Sequence, residues 1–359
     1  MNSIDHVQGI LIYSHSPQTH AYAEMLRGGM SSETTVNVAF GLSELRRQIS
    51  TSPPRILHIL GAWHWGLAAV AAMARKHGLR YVYTPMGQLE PWIMKTNYWK
   101  EKLPKRLLFQ RRLTKHAYAI LAMGPMEQKS LLTLGWNPRV EVVYNPLVTQ
   151  SIHPKEACRQ TMAVYRKVCD TNTIALMKED TRLALRALIK AGQTHDAQWL
   201  TLEERQLCSA LDNEEWRKIL IYAADEGITG FVNQGMKTLG LPPLEVCGIN
   251  NYRKPENNPY TALSTNPMTA FHAIMKLVRS RQVTLRHVVE YSNDLRKSNL
   301  EEDRLIEELE EHQLTASFQA WMQVLKDLTG LEDGLMPLPP KSSRMTRKIE
   351  ATIKQHLEV

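Results

Sequence analysis

The feature that most constrains the fold is an alternation, in the first half of the chain, of short apolar runs with segments of helical period. Near-continuous apolar runs are typical of parallel strands that are covered on both faces, and such strands need crossover helices between them. The sequence therefore predicts a doubly wound, Rossmann-like α/β lobe over residues 1–150. The predicted strands are Val7–Tyr13, Thr35–Phe40, Arg55–Leu60, Arg80–Thr84, Tyr118–Met123 and Val140–Tyr144.

The second half of the chain carries helical period almost throughout, and strand-like runs are nearly absent. We expect a mostly helical region over residues 151–335, followed by a linker and a basic terminal helix over residues 336–359. Within the helical region, Asp225-Glu226-Gly227 predicts a break between two helices at the glycine, and the alternative is a group of polar site residues. The stretch Tyr252–Pro267 is rich in Pro and Asn and predicts a loop or linker.

Length and composition exclude several classes of protein. A chain of 359 residues is long enough for two domains, and 43% hydrophobic with 22% charged residues is an ordinary globular balance. Met1–Gly9 lacks the basic start and apolar core of a signal peptide, and the small-apolar run Trp63–Ala74 is shorter than a membrane span. The four cysteines show neither zinc nor disulfide spacing. We therefore expect a cytoplasmic protein without a bound metal.

Positive charge is concentrated in one stretch of the sequence. The net charge is +8, and the window Lys95–His116 holds eight basic residues against a single acid, Glu101. A second stretch with several basic residues, Ser280–Lys297, also contains acidic residues and shows no helix-turn-helix signature. We therefore expect no nucleic-acid partner. The question for function is what the first window binds.

Unusual residues follow three of the predicted strands. Gly61 and His64 come after the third strand, Gly87 after the fourth, and Asn145 after the last. Ligands of open α/β sheets bind outside the carboxyl ends of the strands, and glycine lets a backbone turn sharply or approach a ligand closely. His64 and Asn145 also fit a purely structural role, since either side chain can fix a turn. The sequence predicts a ligand site at this edge.

Three phrases in this part of the chain, in order, resemble a known family. They are "TPMGQLEPW" (Thr84–Trp92), "ILAMGPMEQ" (Ile120–Gln128) and "VVYNP" (Val142–Pro146). Together with the basic window they resemble the N-terminal lobe of family-four glycosyltransferases, which are GT-B enzymes. The resemblance spans roughly residues 55 to 149.

The resemblance implies a function for the lobe. It implies a glycosyltransferase of bacterial capsule or exopolysaccharide biosynthesis that transfers a sugar from a nucleotide-sugar donor to a lipid-linked or polysaccharide acceptor. It further implies that this lobe holds the acceptor, that anomeric configuration is retained, and that no cofactor is required beyond the nucleotide-sugar co-substrate. The residues expected to contact the acceptor are Gly61, His64, Gly87, Gln88, Glu127 and Asn145. The sequence indicates no catalytic base. Glu127 also has a structural interpretation, because an acidic residue in the first turn of a helix interacts favourably with the helix dipole.

A lipid-linked acceptor gives the basic window a physical role, because Lys and Arg are attracted to anionic headgroups and Trp favours the interface. The expected location is then peripheral, at the inner face of the plasma membrane. The residues predicted to contact the membrane are Lys100, Lys102, Lys105, Arg106, Arg111 and Arg112. The alternative is a solvated basic helix whose apolar positions pack on the sheet. Those positions are Leu103, Leu107, Leu108 and Leu113.

Three departures from the family pattern keep a second function open. The turn after the first strand, "SHSPQTH" (Ser14–His20), has no glycine, and Met86 replaces the histidine of the family's "TPHG" phrase. The family's donor-lobe signature, two glutamates eight positions apart, is met by Glu302 and Glu310, but only inside a Glu-rich helical stretch where such spacing arises by chance. The alternative is a non-catalytic scaffold that binds a glycan or a partner transferase.

Overall fold

The computed structural model describes residues 9–244, 246, 248–253, 266–297, 301–355 and 357. The chain forms two units, Met1–Cys169 with Asn250–Tyr252, and Asp170–Ile249 with Arg253–Val359. We call them unit 1 and unit 2. Most of the predicted loop Tyr252–Pro267, residues 254–265, lies outside the described residues.

Unit 1 is built on one parallel sheet of six strands in the order β2-β1-β3-β4-β5-β6. The prediction of a doubly wound α/β lobe is confirmed. The strands are β1 (Ile10–Ser14), β2 (Val36–Ala39), β3 (Ile56–Leu60), β4 (Arg80–Thr84), β5 (Ala119–Ala122) and β6 (Val140–Val142). The helices are α1 (Pro17–Met30), α2 (Leu42–Thr51), α3 (Gly66–Lys76), α4 (Pro91–Lys95), α5 (Leu103–Lys105), α6 (Arg111–Lys115), α7 (Pro125–Leu134) and α8 (Pro154–Cys169).

Both faces of the sheet are covered, which is why its strands read as continuous apolar runs. Successive side chains of a strand point to opposite faces. Accordingly Leu11 and Tyr13 of β1 belong to a core cluster shared with α2 and α3, whereas Ile10 and Ile12 belong to a cluster shared with α1 and α8. Because α8 contributes to that second cluster, unit 1 extends to Cys169, past the predicted boundary at residue 150.

A buried histidine connects α8 to the sheet. His58 of β3 is fully buried, with Nδ1 at 2.6 Å from the Tyr165 hydroxyl of α8 and Nε2 at 2.7 Å from the Thr84 hydroxyl of β4. Burial lowers the pKa of His58 to about 3. The ring is therefore neutral in the folded state at every pH at which an unfolded histidine would begin to take up a proton.

This gives unit 1 a defined response to acid. Between the unfolded pKa of 6.5 and the folded value of about 3, the unfolded chain binds a proton that the folded chain does not, so stability falls as pH falls. We expect the free energy of unfolding to drop by about 1.4 kcal/mol per pH unit below ~6.5 from this group. In His58→Gln, urea unfolding should give lower stability at pH 7.5 but a flatter dependence between pH 6.5 and 4.5. Equal slopes for the two proteins would contradict this role.

Between β4 and β5 lies the basic window of the sequence. Two π-helical turns flank α5: Tyr98–Lys102 precedes it, and Arg106–Gln110 connects it to α6. Together they form one continuous helical segment from Tyr98 to Lys115. We call it the basic segment. Phe109 and Leu113 are buried in the core cluster that also contains α3 residues, so one face of the segment packs on the sheet layer.

Unit 2 is helical, as predicted, and no strand occurs in the part of it that the structure describes. Its helices are α9 (Glu179–Thr194), α10 (Leu202–Ala210), α11 (Asn213–Asp225), α12 (Thr229–Thr238), α13 (Pro267–Ser280), α14 (Leu285–Lys297), α15 (Glu302–Glu311), α16 (Thr315–Thr329) and α17 (Arg344–Gln355). The break between α11 and α12 lies at Gly227, which adopts a positive φ. Helix α17 contributes Ile349 and Ile353 to a large core cluster of this unit, and so belongs to it.

The two glutamates that match the donor-lobe spacing, Glu302 and Glu310, both lie in α15 with exposed side chains. Among the described residues, the element that precedes them is helix α14, and neither a strand nor a glycine turn leads into α15. Their spacing therefore reflects the composition of an amphipathic helix.

Candidate functional site

The candidate site lies at the carboxyl ends of β1 and β3, the two neighbouring strands where the order of the sheet reverses. The chain runs from β1 outward to β2 and then returns to the other side of β1 as β3. Crevices at such reversals are the usual ligand sites of doubly wound sheets. Here the first residue after β1 is His15, and the loop after β3 runs from Gly61 to Trp65.

Two histidine rings stack at this reversal. The imidazoles of His15 and His64 lie with ring centroids 4.4 Å apart and planes 21° from parallel. His15 is half-buried and His64 is exposed. Burial lowers the pKa of His15, and the nearby His64 ring lowers it further. The lowered pKa favours the neutral form of the His15 ring, which suits hydroxyl groups better than phosphates.

Gly61 makes room for this pair. Its φ is 84°, and a Cβ at this position would lie 2.7 Å from Cε1 of His15. Its N–H donates to the carbonyl of Thr84 at 2.8 Å, so the loop leaves β3 still bonded to β4. Gly61 therefore acts on the site by admitting the His15 ring.

One hydrogen bond of His64 indicates which ring nitrogen carries the proton in the neutral form. Its Nδ1 accepts the N–H of Gly66 at 3.1 Å, at the start of α3. In the neutral ring the proton must then lie on Nε2, on an exposed side chain. His64 can therefore donate a hydrogen bond to a hydroxyl oxygen of a ligand. On the other side of the pair, Nδ1 of His15 is buried and has no hydrogen-bond partner among the described residues.

Glu127 ties two of the strand-end loops together. One carboxylate oxygen accepts the N–H of Gly87 at 2.6 Å, and the other accepts the N–H of Met123 at 2.7 Å. The side chain is buried, and burial raises its pKa although both N–H groups oppose the shift. Met86 and Gly87 both have positive φ, so the loop after β4 turns sharply to reach this carboxylate. Glu127 is thus a positioning residue for the loops.

Gln88 makes a second tie, between the loops after β3 and β4. Its Oε1 accepts the N–H of Ala62 at 2.7 Å, and its backbone carbonyl accepts the indole N–H of Trp63, also at 2.7 Å. The N–H of Trp63 donates to the side chain of Gln110 in the basic segment at 3.0 Å. Trp63 is therefore a buried packing residue, whereas Trp65 is 53% exposed.

Asn145 forms its own turn. Its Oδ1 accepts the N–H of Leu147 at 3.0 Å, and its carbonyl accepts the N–H groups of Val148 and Thr149. These contacts agree with the structural role considered for Asn145, in which its side chain fixes a turn. Of the six residues predicted at the site, the structure joins Gly61, Gly87, Gln88 and Glu127 as the frame of the loops. It leaves His64 as the exposed polar side chain.

Two residues at the site were missed by the sequence analysis. His15 occupies the turn in which a glycine was expected, and its position directly after a strand was the signal that could have revealed it. Gln110 lies inside the basic segment and is fully buried, with its amide nitrogen 2.9 Å from the Tyr83 hydroxyl. No local pattern marks such a residue.

Comparison with known proteins bears on this geometry. Residues 12–146 match the model of the glycosyl transferase 4-like domain. This part of unit 1 is therefore similar to a glycosyl transferase 4-like domain. The match confirms the resemblance given by the three phrases and extends it back to β1, while it covers less than half of the chain and none of unit 2. No curated protein and no solved structure matched the chain.

The six residues predicted to contact a membrane differ in their exposure to solvent. Lys100, Arg111 and Arg112 are exposed. Lys102 is buried, because its ammonium group donates to the carbonyl of Ile93, and it is therefore not a surface contact. The prediction that Lys102 contacts a membrane was therefore wrong. The remaining two of the six, Lys105 and Arg106, have partners within unit 1.

Lys105 forms an ion pair with Glu101 at 2.9 Å and lies over the Trp65 ring. Arg106 donates to the Tyr98 hydroxyl at 2.8 Å and lies over the ring of Trp136. The six basic residues therefore form two groups. Lys102, Lys105 and Arg106 have partners within unit 1, whereas Lys100, Arg111 and Arg112 face solvent.

The same region exposes large apolar side chains. Leu107 is 74% exposed and Leu108 is 66% exposed, so the alternative in which all four leucines pack on the sheet is wrong for these two. Trp92 and Trp99 are 70% and 78% exposed. We call these four residues the apolar patch. In the described ranges, no helix is both long and apolar enough to cross a bilayer.

No cluster of three or more His, Cys, Asp or Glu side chains fit to hold a metal ion occurs within the portion of the chain that the structure describes. The site combines the two stacked imidazole rings, loop residues with positive φ and the exposed ring of Trp65.

Proposed function

We propose that the protein transfers a sugar from a nucleotide-sugar donor to a lipid-linked or polysaccharide acceptor in bacterial capsule or exopolysaccharide biosynthesis, with the acceptor held by unit 1. The observation that carries the proposal is the His15–His64 pair at the β1–β3 reversal of a glycosyl transferase 4-like domain. A sugar hydroxyl is both donor and acceptor, as is a neutral imidazole. The acceptor hydroxyl would contact Nε2 of His64.

This assignment gives His64 the role that the sequence left open. Met86 cannot exchange a proton, and both oxygens of Glu127 already accept backbone N–H groups. Among the predicted site residues, His64 alone presents an exposed group able to take or give a proton. We assign it the acceptor contact and the orientation of the attacking hydroxyl.

We further propose that unit 1 docks on an anionic membrane surface, peripherally and from the cytoplasmic side. The apolar patch and the exposed Lys100, Arg111 and Arg112 support this proposal, because exposed Leu and Trp flanked by basic residues suit the interface of an anionic bilayer. A lipid-linked acceptor would then be reached without leaving the membrane.

A second candidate is a non-catalytic scaffold that binds a glycan or a partner transferase. The observations that favour it are Met86 at the position of the family's histidine and the helical character of unit 2, in place of the second nucleotide-binding domain that the family resemblance implies. In this case the site would bind a glycan without turnover.

A turnover assay distinguishes the transferase from the scaffold. It measures release of the nucleoside diphosphate from a panel of UDP-, GDP- and ADP-linked sugars with a glycan acceptor present. For a transferase, His64→Ala should lower kcat/KM by about 10-fold, the effect of one lost hydrogen bond in a buried contact. His77→Ala is the matched control, because His77 is an exposed histidine at the other end of α3. Glycan binding with no turnover of any donor would establish the scaffold; a His64→Ala variant of unchanged kcat/KM would remove the assigned contact.

A further inference from the structure

Unit 2 contains a cavity that the proposed function does not use. Its volume is about 290 Å³, and residues of α9, α11, α14, α16 and α17 line it. Its charged lining residues are Glu179, Arg182 and Arg186 of α9, Asp327 of α16, and Glu350 and Lys354 of α17. Leucine and isoleucine side chains and the Tyr222 ring complete the lining.

The two arginines are incompletely paired. Arg182 and Arg186 are four residues apart on α9, where like charges lie on one helix face and repel each other. The Nε atom of each is buried without a hydrogen-bond partner in the described structure. Arg182 donates to the carbonyl of Ile174 at 3.3 Å and lies 3.6 Å from the carboxylate of Glu179. Arg186 donates to the carboxylate of Glu204 at 3.3 Å. Two neighbouring guanidinium groups that line a cavity, each with one donor unused, suit an anion.

The carboxyl groups of the cavity come from the other helices. Burial raises the pKa of Glu350, and the neighbouring Asp327 raises it further, while Lys354 opposes the shift. Two close carboxyl groups repel each other when both are ionised, and hydrogen-bond donors from a ligand relieve that repulsion. A polyhydroxyl compound supplies such donors without adding charge.

We propose that this cavity binds a small phosphorylated polyol, with its phosphate at Arg182 and Arg186 and its hydroxyl groups at Asp327 and Glu350. Guanidinium groups match the geometry of phosphate oxygens and can bind them in pairs. The volume is at the lower end of the range for small-molecule sites, which suits one sugar-sized ring. The proposal concerns unit 2 alone and does not depend on sugar transfer by unit 1.

Calorimetric titration of the full chain tests it, with glucose 6-phosphate as the probe and inorganic phosphate and glucose as separate arms. The phosphorylated sugar should bind at least about 10-fold more tightly than phosphate, and glucose alone should bind weakest. Arg182→Gln with Arg186→Gln should weaken binding of both phosphate compounds by about 10-fold or more. Asp327→Asn with Glu350→Gln should weaken only the phosphorylated sugar.

Arg205→Gln is the matched control. Arg205 is a half-buried arginine of α10 whose Nε is also buried without a partner among the described residues, and it does not line the cavity. Circular dichroism checks that each variant folds. Should the double arginine variant fail to fold, the single variant Arg186→Gln replaces it, and it should weaken binding of both phosphate compounds by a smaller factor.

Three results would overturn the proposal. They are the absence of binding of either phosphate compound by the unaltered protein, equal binding by the arginine variants and the control, and equal affinity for phosphate and its sugar ester. The last would show an adventitious phosphate contact with no polyol site.

Discussion

Gly235→Ala is expected to destabilise unit 2 by about 3 kcal/mol, because overpacking at a closed contact forces the backbone to move. Gly235 of α12 lies against α9, and a Cβ at this position would overlap the carbonyl oxygen of Leu188. The relation is reciprocal: a Cβ on Gly192 of α9 would overlap the carbonyl oxygen of Phe231 on α12. A carbonyl oxygen of a helix cannot move without breaking the helix, so neither contact relaxes cheaply.

Calorimetric melting gives the measurement. A loss of about 3 kcal/mol corresponds to a fall of roughly 6–12 °C in the Tm of a unit of this size. Gly192→Ala should have a similar effect, and the double variant should lose less than the sum, because one displacement of α9 from α12 relieves both overlaps. The melting of unit 1 should stay unchanged.

Gly230→Ala supplies the matched control on the same helix. A Cβ at Gly230 meets no atom within 4 Å, so the change adds helix propensity without a clash. We expect it to raise stability by up to about 1 kcal/mol. If Gly235→Ala melted like Gly230→Ala, the close crossing of α9 and α12 would not exist.

These glycines show what sequence reasoning could and could not reach in unit 2. A glycine inside a helical pattern usually marks an end, and at Gly227 that rule gave the correct break between α11 and α12. Gly192 and Gly235 lie inside helices instead, since their lack of a side chain admits a neighbouring helix. Both uses of glycine give the same local pattern, and only the partner helix distinguishes them.

The sheet of unit 1 was accessible from sequence because its signal is local. Apolar runs bounded by turn residues gave all six strands, and the residues after those strands gave the edge at which His64 lies. The order of the strands places His15 beside His64, and that order depends on long-range pairing. The stacked pair could not be predicted for this reason.

Side-chain direction set a second limit. Gln88, Glu127 and Asn145 were correctly placed near strand ends, but their polar atoms bind loop backbone, which depends on the exact path of each loop. In the basic segment a charge count predicts attraction to anions and gives no direction to any side chain. Packing of Phe109 and Leu113 in the core fixes the rotation of the segment, and Lys102 lies buried with its ammonium group on the carbonyl of Ile93.

That rotation leads to the second large effect, on membrane binding. Leu107 and Leu108 are exposed at the positions opposite to the buried face, and Arg111 follows Leu107 by one helical turn. Insertion of two leucine side chains into a bilayer interface stabilises binding by about 3 kcal/mol in total. Leu107→Ser with Leu108→Ser should therefore weaken binding to phosphatidylserine-containing vesicles by roughly 100-fold. Co-sedimentation across a lipid titration measures this.

The charged residues should act differently. Lys100→Gln with Arg111→Gln should weaken binding by about 5-fold for each charge at low ionic strength. Binding should also lose part of its dependence on salt, because screening acts only on the charges. The leucine variant should keep the salt dependence of the unaltered protein. This difference separates insertion of the apolar patch from attraction to the headgroups.

Leu202→Ser is the matched control, since Leu202 of unit 2 is 70% exposed and lies outside the apolar patch. An exposed leucine contributes little to the stability of the fold. The unaltered protein, the double leucine variant and Leu202→Ser should therefore have the same Tm. If Leu107→Ser with Leu108→Ser bound vesicles as tightly as Leu202→Ser, the apolar patch would have no role at a membrane. The exposed leucines would then need a protein partner, which is what the scaffold alternative requires.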